Sequence, residues 1–264
     1  MNNTCSLDIA GINITLTCDN ARLFDELCWR YHAFLSVGTV EFLLDITWKK
    51  ITSSTVFVIP NISFNSGKVF LSGPNFSGCG DIVNRQAELE IQVSTPLEAV
   101  DYFLRVLIAL LTFQAGGMMV HGAGILHSGS GYLFFGHSGS GKTTVSRSSV
   151  NDEVLNDDLV VLMPNGNTWT MYSTPFWNLT QVEPKPLTAP LVAMYRLVQD
   201  KSVFLEPLKP GQALAEFVSN IPIISVNSEQ SIALMERSMK LLRGVPVYRL
   251  HFLPDDSFWQ VITG

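Results

Sequence analysis

One stretch constrains this chain more than any other: Gly136-His137-Ser138-Gly139-Ser140-Gly141-Lys142-Thr143, which fits the spacing G-x-x-x-x-G-K-[ST]. It follows an apolar run, Tyr132-Leu133-Phe134-Phe135, that reads as a strand, and it opens a segment near 142–150 that reads as a helix. That context turns a spacing pattern into a candidate site. Glycines let the backbone wrap so that successive N–H groups point inward, at the positive end of a helix dipole. Lys142 then supplies a point charge suited to β- and γ-phosphates, and the Thr143 hydroxyl is placed for the Mg²⁺ that bridges them. Gly136 to Thr143, with Thr144 behind them, are the expected contacts of a nucleoside triphosphate.

Composition sets the outer bounds. Of 264 residues, 47% are hydrophobic and 15% charged, against roughly 25% charged in an average soluble domain, so general disorder is excluded. Lys and Arg total 17 against 23 Asp and Glu, a net charge of −6. A partner of duplex nucleic acid or anionic membrane would call for the opposite sign. Mean hydropathy is +0.24, but the longest apolar stretch, 106–120, is broken by Gln114, Gly116 and Gly117 and is shorter than the ~20 residues that span a bilayer. The first residues lack a basic region followed by an apolar core, so secretion is not implied and a cytoplasmic location is expected. Cys5, Cys18, Cys28 and Cys79 have no C-x-x-C spacing and suggest neither a zinc site nor a redox motif. The sequons Asn61-Ile62-Ser63 and Asn178-Leu179-Thr180 read as chance.

Alternation over 8–17 and 55–71 predicts half-buried strands, and 20–35 has helical spacing, so residues 1–93 read as an α+β lobe. Thr95-Pro96-Leu97-Glu98 predicts a helix start with Thr95 as N-cap, and the stripe that follows predicts a largely buried helix over 96–113. Residues 94–264 are then the core that carries the glycine-rich loop. Its strands are expected around 118–120, 125–126, 132–135, 153–156, 159–163, 168–173, 191–198, 246–253 and 258–263, with helices near 211–219 and 229–242. His127 to Gly131 forms a hairpin turn.

Phosphate binding alone does not fix the chemistry. Asn156-Asp157-Asp158 lies between strand-like runs, and neighbouring residues on an extended chain face opposite ways. One carboxylate can hold Mg²⁺ while the other takes a proton from an attacking hydroxyl. His121 is a polar residue in an apolar run just upstream, equally readable as a hydrogen-bonded core residue.

The order His121-Gly122-x-Gly124, hairpin, strand, glycine-rich loop, helix, Asn156-Asp157-Asp158 resembles the catalytic core of HPr kinase/phosphorylase. That core shares its P-loop with the ATP-dependent phosphoenolpyruvate carboxykinases. The chain looks closer still to the HPr kinase-like proteins found beside peptide-modification genes, which have a Thr-Pro-aromatic segment like Thr174-Pro175-Phe176. The resemblance implies an α/β fold, with a P-loop core of mixed, largely β sheet and flanking helices, preceded by a smaller α+β lobe. It also implies ATP- and Mg²⁺-dependent transfer to a serine-type hydroxyl, with His121 as the catalytic histidine, Asp157 as base and Asp158 as metal ligand. The Glu-Ile-Arg-Gly segment and basic C-terminal loop of true HPr kinases are missing, so neither action on HPr, nor phosphorolysis, nor hexamers are implied.

No Asn-Lys-x-Asp reader marks a GTPase, no Leu-Ser-Gly-Gly follows the loop as in a transport ATPase, and the arginines of a metabolite-kinase lid are few. The alternative from another class is a non-catalytic module whose ATP occupancy switches a partner interaction. The acceptor, whether peptide, protein or metabolite, leaves no signature, and a homo-oligomer is compatible with the pattern.

Overall fold

A computed structural model describes residues 3–49, 56–65, 67–177, 183–222 and 228–263. The chain divides into two compact units, Met1–Leu111 and Thr112–Gly264.

In the first unit, β1 (Asn3–Ile9) and β2 (Ile12–Cys18) form a hairpin, so the alternating stretch read over 8–17 is turned at Ala10 and Gly11 rather than being one strand. Both turn residues have positive φ, and the Asp8 carboxylate accepts from the Gly11 N–H at 2.9 Å. Helix α1 (Ala21–Arg30) is capped by the Asn20 side chain and ends before Leu35, the chain continuing as a short 3₁₀ turn, His32–Phe34. Then come β3 (Leu35–Ser36), β4 (Phe42–Trp48), β5 (Asn61–Asn65), β6 (Lys68–Gly73), β7 (Phe76–Asp81) and β8 (Gln86–Ile91). They form one sheet in the order β3-β1-β2-β4-β8-β7-β6-β5, with β2, β4 and β8 parallel and the other pairs antiparallel.

Helix α2 (Pro96–Gln114) matches the expected span. Its cap differs, because the Thr95 hydroxyl is buried and makes no hydrogen bond; Pro96 at the first position removes one of the N–H groups that a helix start leaves without an intrahelical partner. The compact units divide inside this helix, at 111/112, whereas the change in sequence pattern comes at 93/94. Packing explains the placement. A Cβ on Gly78 of β7 would lie 2.5 Å from the Phe103 ring, and one on Gly80 2.7 Å from Leu107, so α2 sits directly on glycines of the first sheet.

The second unit is built on two long strands, β9 (Met118–His127) and β14 (Thr188–Gln199), each shared by two layers of pairing. Their first halves flank β12 (Leu159–Asn165) and β13 (Thr168–Tyr172) in an antiparallel set. Their second halves flank β10 (Ser130–Phe135), which runs antiparallel to β9 and parallel to β14. β11 (Glu153–Asn156) adds to β9, and β16 (Val247–Phe252) followed by β15 (Phe204–Pro207) extends the other side. The result is a mixed, largely β architecture with flanking helices.

Alternate residues of β10 face opposite ways. Leu133 and Phe135 join a core with Phe217 of α4 (Pro210–Val218) and Leu234 and Leu241 of α5 (Ser228–Gly244). Phe134 joins a second core with Val145 of α3 (Lys142–Ser148) and with Phe258 and Trp259 of α6 (Phe258–Thr263). The last element corrects the expectation of a strand at 258–263. A short aromatic and β-branched run is compatible with either period, and here Phe258, Trp259 and Ile262 share one helical face against the second core.

No described helix is long and apolar enough to cross a membrane, and all four cysteines are free. The Asn178 sequon lies outside the described residues.

Because α2 rests on bare glycine, Gly78→Ala should overpack that contact and cost about 1–3 kcal/mol. Urea unfolding followed by circular dichroism checks this; an unchanged midpoint contradicts the packing.

Candidate functional site

The segment Gly136–Gly141 joins the C-terminal end of β10 to the first residue of α3. Gly136, Gly139 and Gly141 adopt φ of 152°, 78° and 110°, a region L side chains avoid. Gly141 has a second constraint, since a Cβ there would lie 2.4 Å from the Phe252 ring. The tip, His137 to Gly139, is exposed, with His137 Nδ1 2.7 Å from the Ser138 carbonyl and the Gly139 carbonyl accepting from Gln199 Nε2 at 2.9 Å. Thr143 and Thr144 are half-buried in the first turn of α3.

Lys142 is folded into the loop. It is 7% exposed, and Nζ donates to the carbonyls of Gly136 (2.9 Å) and His137 (3.2 Å). Burial holds its pKa below the usual lysine value; Asp158 and Asp157 pull it back up, while Arg196 adds to the depression. Ser140, 4% exposed, has a buried hydroxyl oxygen with no hydrogen-bond partner.

Asp157 and Asp158 occupy the bend between β11 and β12, and Asn156 fixes the bend. Its Nδ2 donates to the Thr174 and Phe176 carbonyls, both at 2.9 Å, and its Oδ1 accepts from the N–H groups of Asp158 (2.7 Å) and Leu159 (3.0 Å). The Thr174 hydroxyl closes the arrangement on the Leu159 carbonyl at 2.7 Å. Thr174-Pro175-Phe176 thus acts here as the seat of the acidic turn.

The two carboxylates of the bend differ in surroundings. Asp158 Oδ1 lies 3.1 Å from His121 Nε2, on a strand pair where His121 is opposite Leu159. The His121 side chain is 36% exposed at this contact. Asp157 points inward, 1% exposed, and neither oxygen has a fully formed hydrogen bond. Burial and then the Asp158 charge push its pKa up to about 6, against a downward pull from the Thr143 hydroxyl and Arg147.

The structure thus brings together Lys142, Thr143, Asp157, Asp158 and His121, and leaves His137, Ser138 and Gly139 on the rim. Oxygen donors from Thr143 and the acidic pair suit a hard cation such as Mg²⁺, and the unpartnered buried oxygens of Asp157 and Ser140 fit a site completed by a ligand. Two contributors lacked a sequence-derived role. Asn156 was legible only as part of the acidic run. Arg196, a lone charge in the apolar β14, places Nη1 3.3 Å from where a Cβ of Gly136 would be.

No family model matches the chain, and no curated protein does. Among solved structures, the HPr(Ser) kinase/phosphatase from Coxiella burnetii is similar over 51% of this chain and 85% of that chain, at 14% identity and a TM-score of 0.31. The likeness carries no residue role to this chain.

A carboxyl whose pKa rises on folding holds more proton in the native than in the unfolded state, so stability falls as pH rises from roughly 4 through about 6. Asp157→Asn removes that loss. The variant should melt a few degrees above the parent at pH 7.5, with the gap closing near pH 4; a variant less stable at pH 7.5 contradicts a net cost of burying this carboxylate.

Proposed function

We propose that this protein is an ATP- and Mg²⁺-dependent kinase that transfers the γ-phosphoryl group to a serine-type hydroxyl of a peptide, protein or small molecule. The observation that carries this reading is the buried Asp157 carboxylate beside Lys142 and Thr143, its pKa pushed up to about 6 although the Thr143 hydroxyl and Arg147 pull the other way. A charge placed there with so little compensation is costly, and such groups cluster where chemistry needs them.

In this reading the backbone of Gly136 to Gly141, with Thr144 in the following turn, cradles the polyphosphate, and Lys142 exchanges its two carbonyl contacts for phosphate oxygens. Thr143 and Asp158 would hold Mg²⁺, which supplies neutralisation of the phosphate charge. His121 orients the Asp158 carboxylate through its 3.1 Å contact. The acceptor oxygen forms a bond to the γ-phosphorus as the bond to the bridging oxygen breaks; ADP leaves with that electron pair, and Asp157 takes the hydroxyl proton.

Incubation with γ-labelled ATP, Mg²⁺ and serine-bearing peptides tests the proposal. Asp157→Asn should cut transfer by about 10²–10⁴-fold while leaving ATP affinity within a few-fold, and Lys142→Ala should weaken both. Equal transfer by Asp157→Asn removes the base. ATP binding with no transfer to any acceptor by the parent supports the non-catalytic module instead.

A further inference from the structure

Three groups converge on Gly136. Lys142 Nζ donates to its carbonyl at 2.9 Å. Measured from the position of an ideal Cβ on Gly136, the unpartnered Ser140 Oγ lies at 2.7 Å and Arg196 Nη1 at 3.3 Å. The register explains why Arg196 arrives there. Arg196 of β14 pairs with Phe135, the residue before Gly136, and a parallel pair presents its side chains on one face. That face is the one on which Phe135 packs against Phe217 of α4.

Helix α4 also supplies the partner. Glu216 Oε2 accepts from Arg196 Nε at 2.9 Å, and Arg196 Nη1 donates to the Leu197 carbonyl. One turn on, the Asn220 carbonyl accepts from the His121 N–H at 2.7 Å, while Asn220 Nδ2 donates to the Glu216 carbonyl at 2.7 Å. The segment that holds Arg196 is therefore tied to the same strand as His121. A recess of about 290 Å³ lined by Gln212, Ala215, Glu216, Ser219 and Arg249 includes the same Glu216.

We propose that Arg196 is a second phosphate-binding cation of the glycine-rich loop, acting with Lys142, and that Glu216 is its positioning residue. This rests on the reading of the loop as a nucleotide site. Two cations flanking Gly136 beside a buried, unpartnered hydroxyl suit a multiply charged phosphate better than Lys142 alone. A guanidinium held by a carboxylate through Nε keeps Nη donors for a pair of phosphate oxygens, a fork that an ammonium cannot match.

The test is ATP binding with Mg²⁺ by calorimetry on the full chain. Arg196→Gln should weaken ATP about 10–100-fold, the range of a lost charge-assisted contact. Glu216→Gln should weaken ATP several-fold in the parent and have no effect in the Arg196→Gln background, which a merely structural role for Glu216 would not produce. An Arg196→Gln protein that binds ATP as the parent does, or a Glu216→Gln effect that persists without Arg196, overturns the proposal. On the unaltered protein, ATP with Mg²⁺ should slow phenylglyoxal modification of Arg196 several-fold; equal modification with and without ATP also overturns it. A parent that binds no ATP sinks the kinase reading itself, whereas a binding parent with an indifferent Arg196→Gln sinks only this inference.

Discussion

The candidate site depends on the anchoring of one turn by one side chain. Asn156 spends both ends of its amide on the backbone of the Asn-Asp-Asp bend and on the Thr174–Phe176 segment. At a net of roughly 1 kcal/mol per hydrogen bond, that set is large enough to hold Asp157 where its carboxylate would not go unaided. The bend can present a buried acid because its neighbours hold the backbone in place. The loop opposite is restrained in the same manner, by positive-φ glycines and by the Phe252 ring pressed against Gly141. Fixed backbone on both sides leaves Lys142, Ser140 and Asp157 as groups whose local demands are incompletely met.

Part of this arrangement is legible in the sequence. The glycine-rich loop is legible because its requirements are local: particular φ values, a short distance from strand to helix, a lysine at a fixed offset. The buried helix 96–113 was legible from its apolar stripe, and the acidic pair from its place between two apolar runs. His121 was legible only as an alternative between core and site.

What escaped was set by pairing between distant parts of the chain. Nothing near 156 indicates that Thr174 and Phe176 supply its acceptors, and nothing near 196 says that β14 will lie parallel to β10 with Arg196 beside Phe135. The short aromatic run at 258–263 has a strand-like composition but forms a helix, because tertiary packing against Val145 and Phe134, not local preference, decides its period. The Thr95 cap failed for a related reason, its hydroxyl being buried without a partner.

The account stands on the claim that Asp157 is a buried acid whose desolvation and Asp158 repulsion outweigh the pull of the Thr143 hydroxyl and Arg147. A ¹³C-detected titration of the aspartate carboxyl carbons in the free protein, with Asp157→Asn to assign the signal, measures this directly. The account predicts a midpoint near the value of about 6 to which burial and Asp158 push it. A midpoint at the ordinary aspartate value of about 4 would mean that the carboxylate is solvated or paired, and would contradict the central claim.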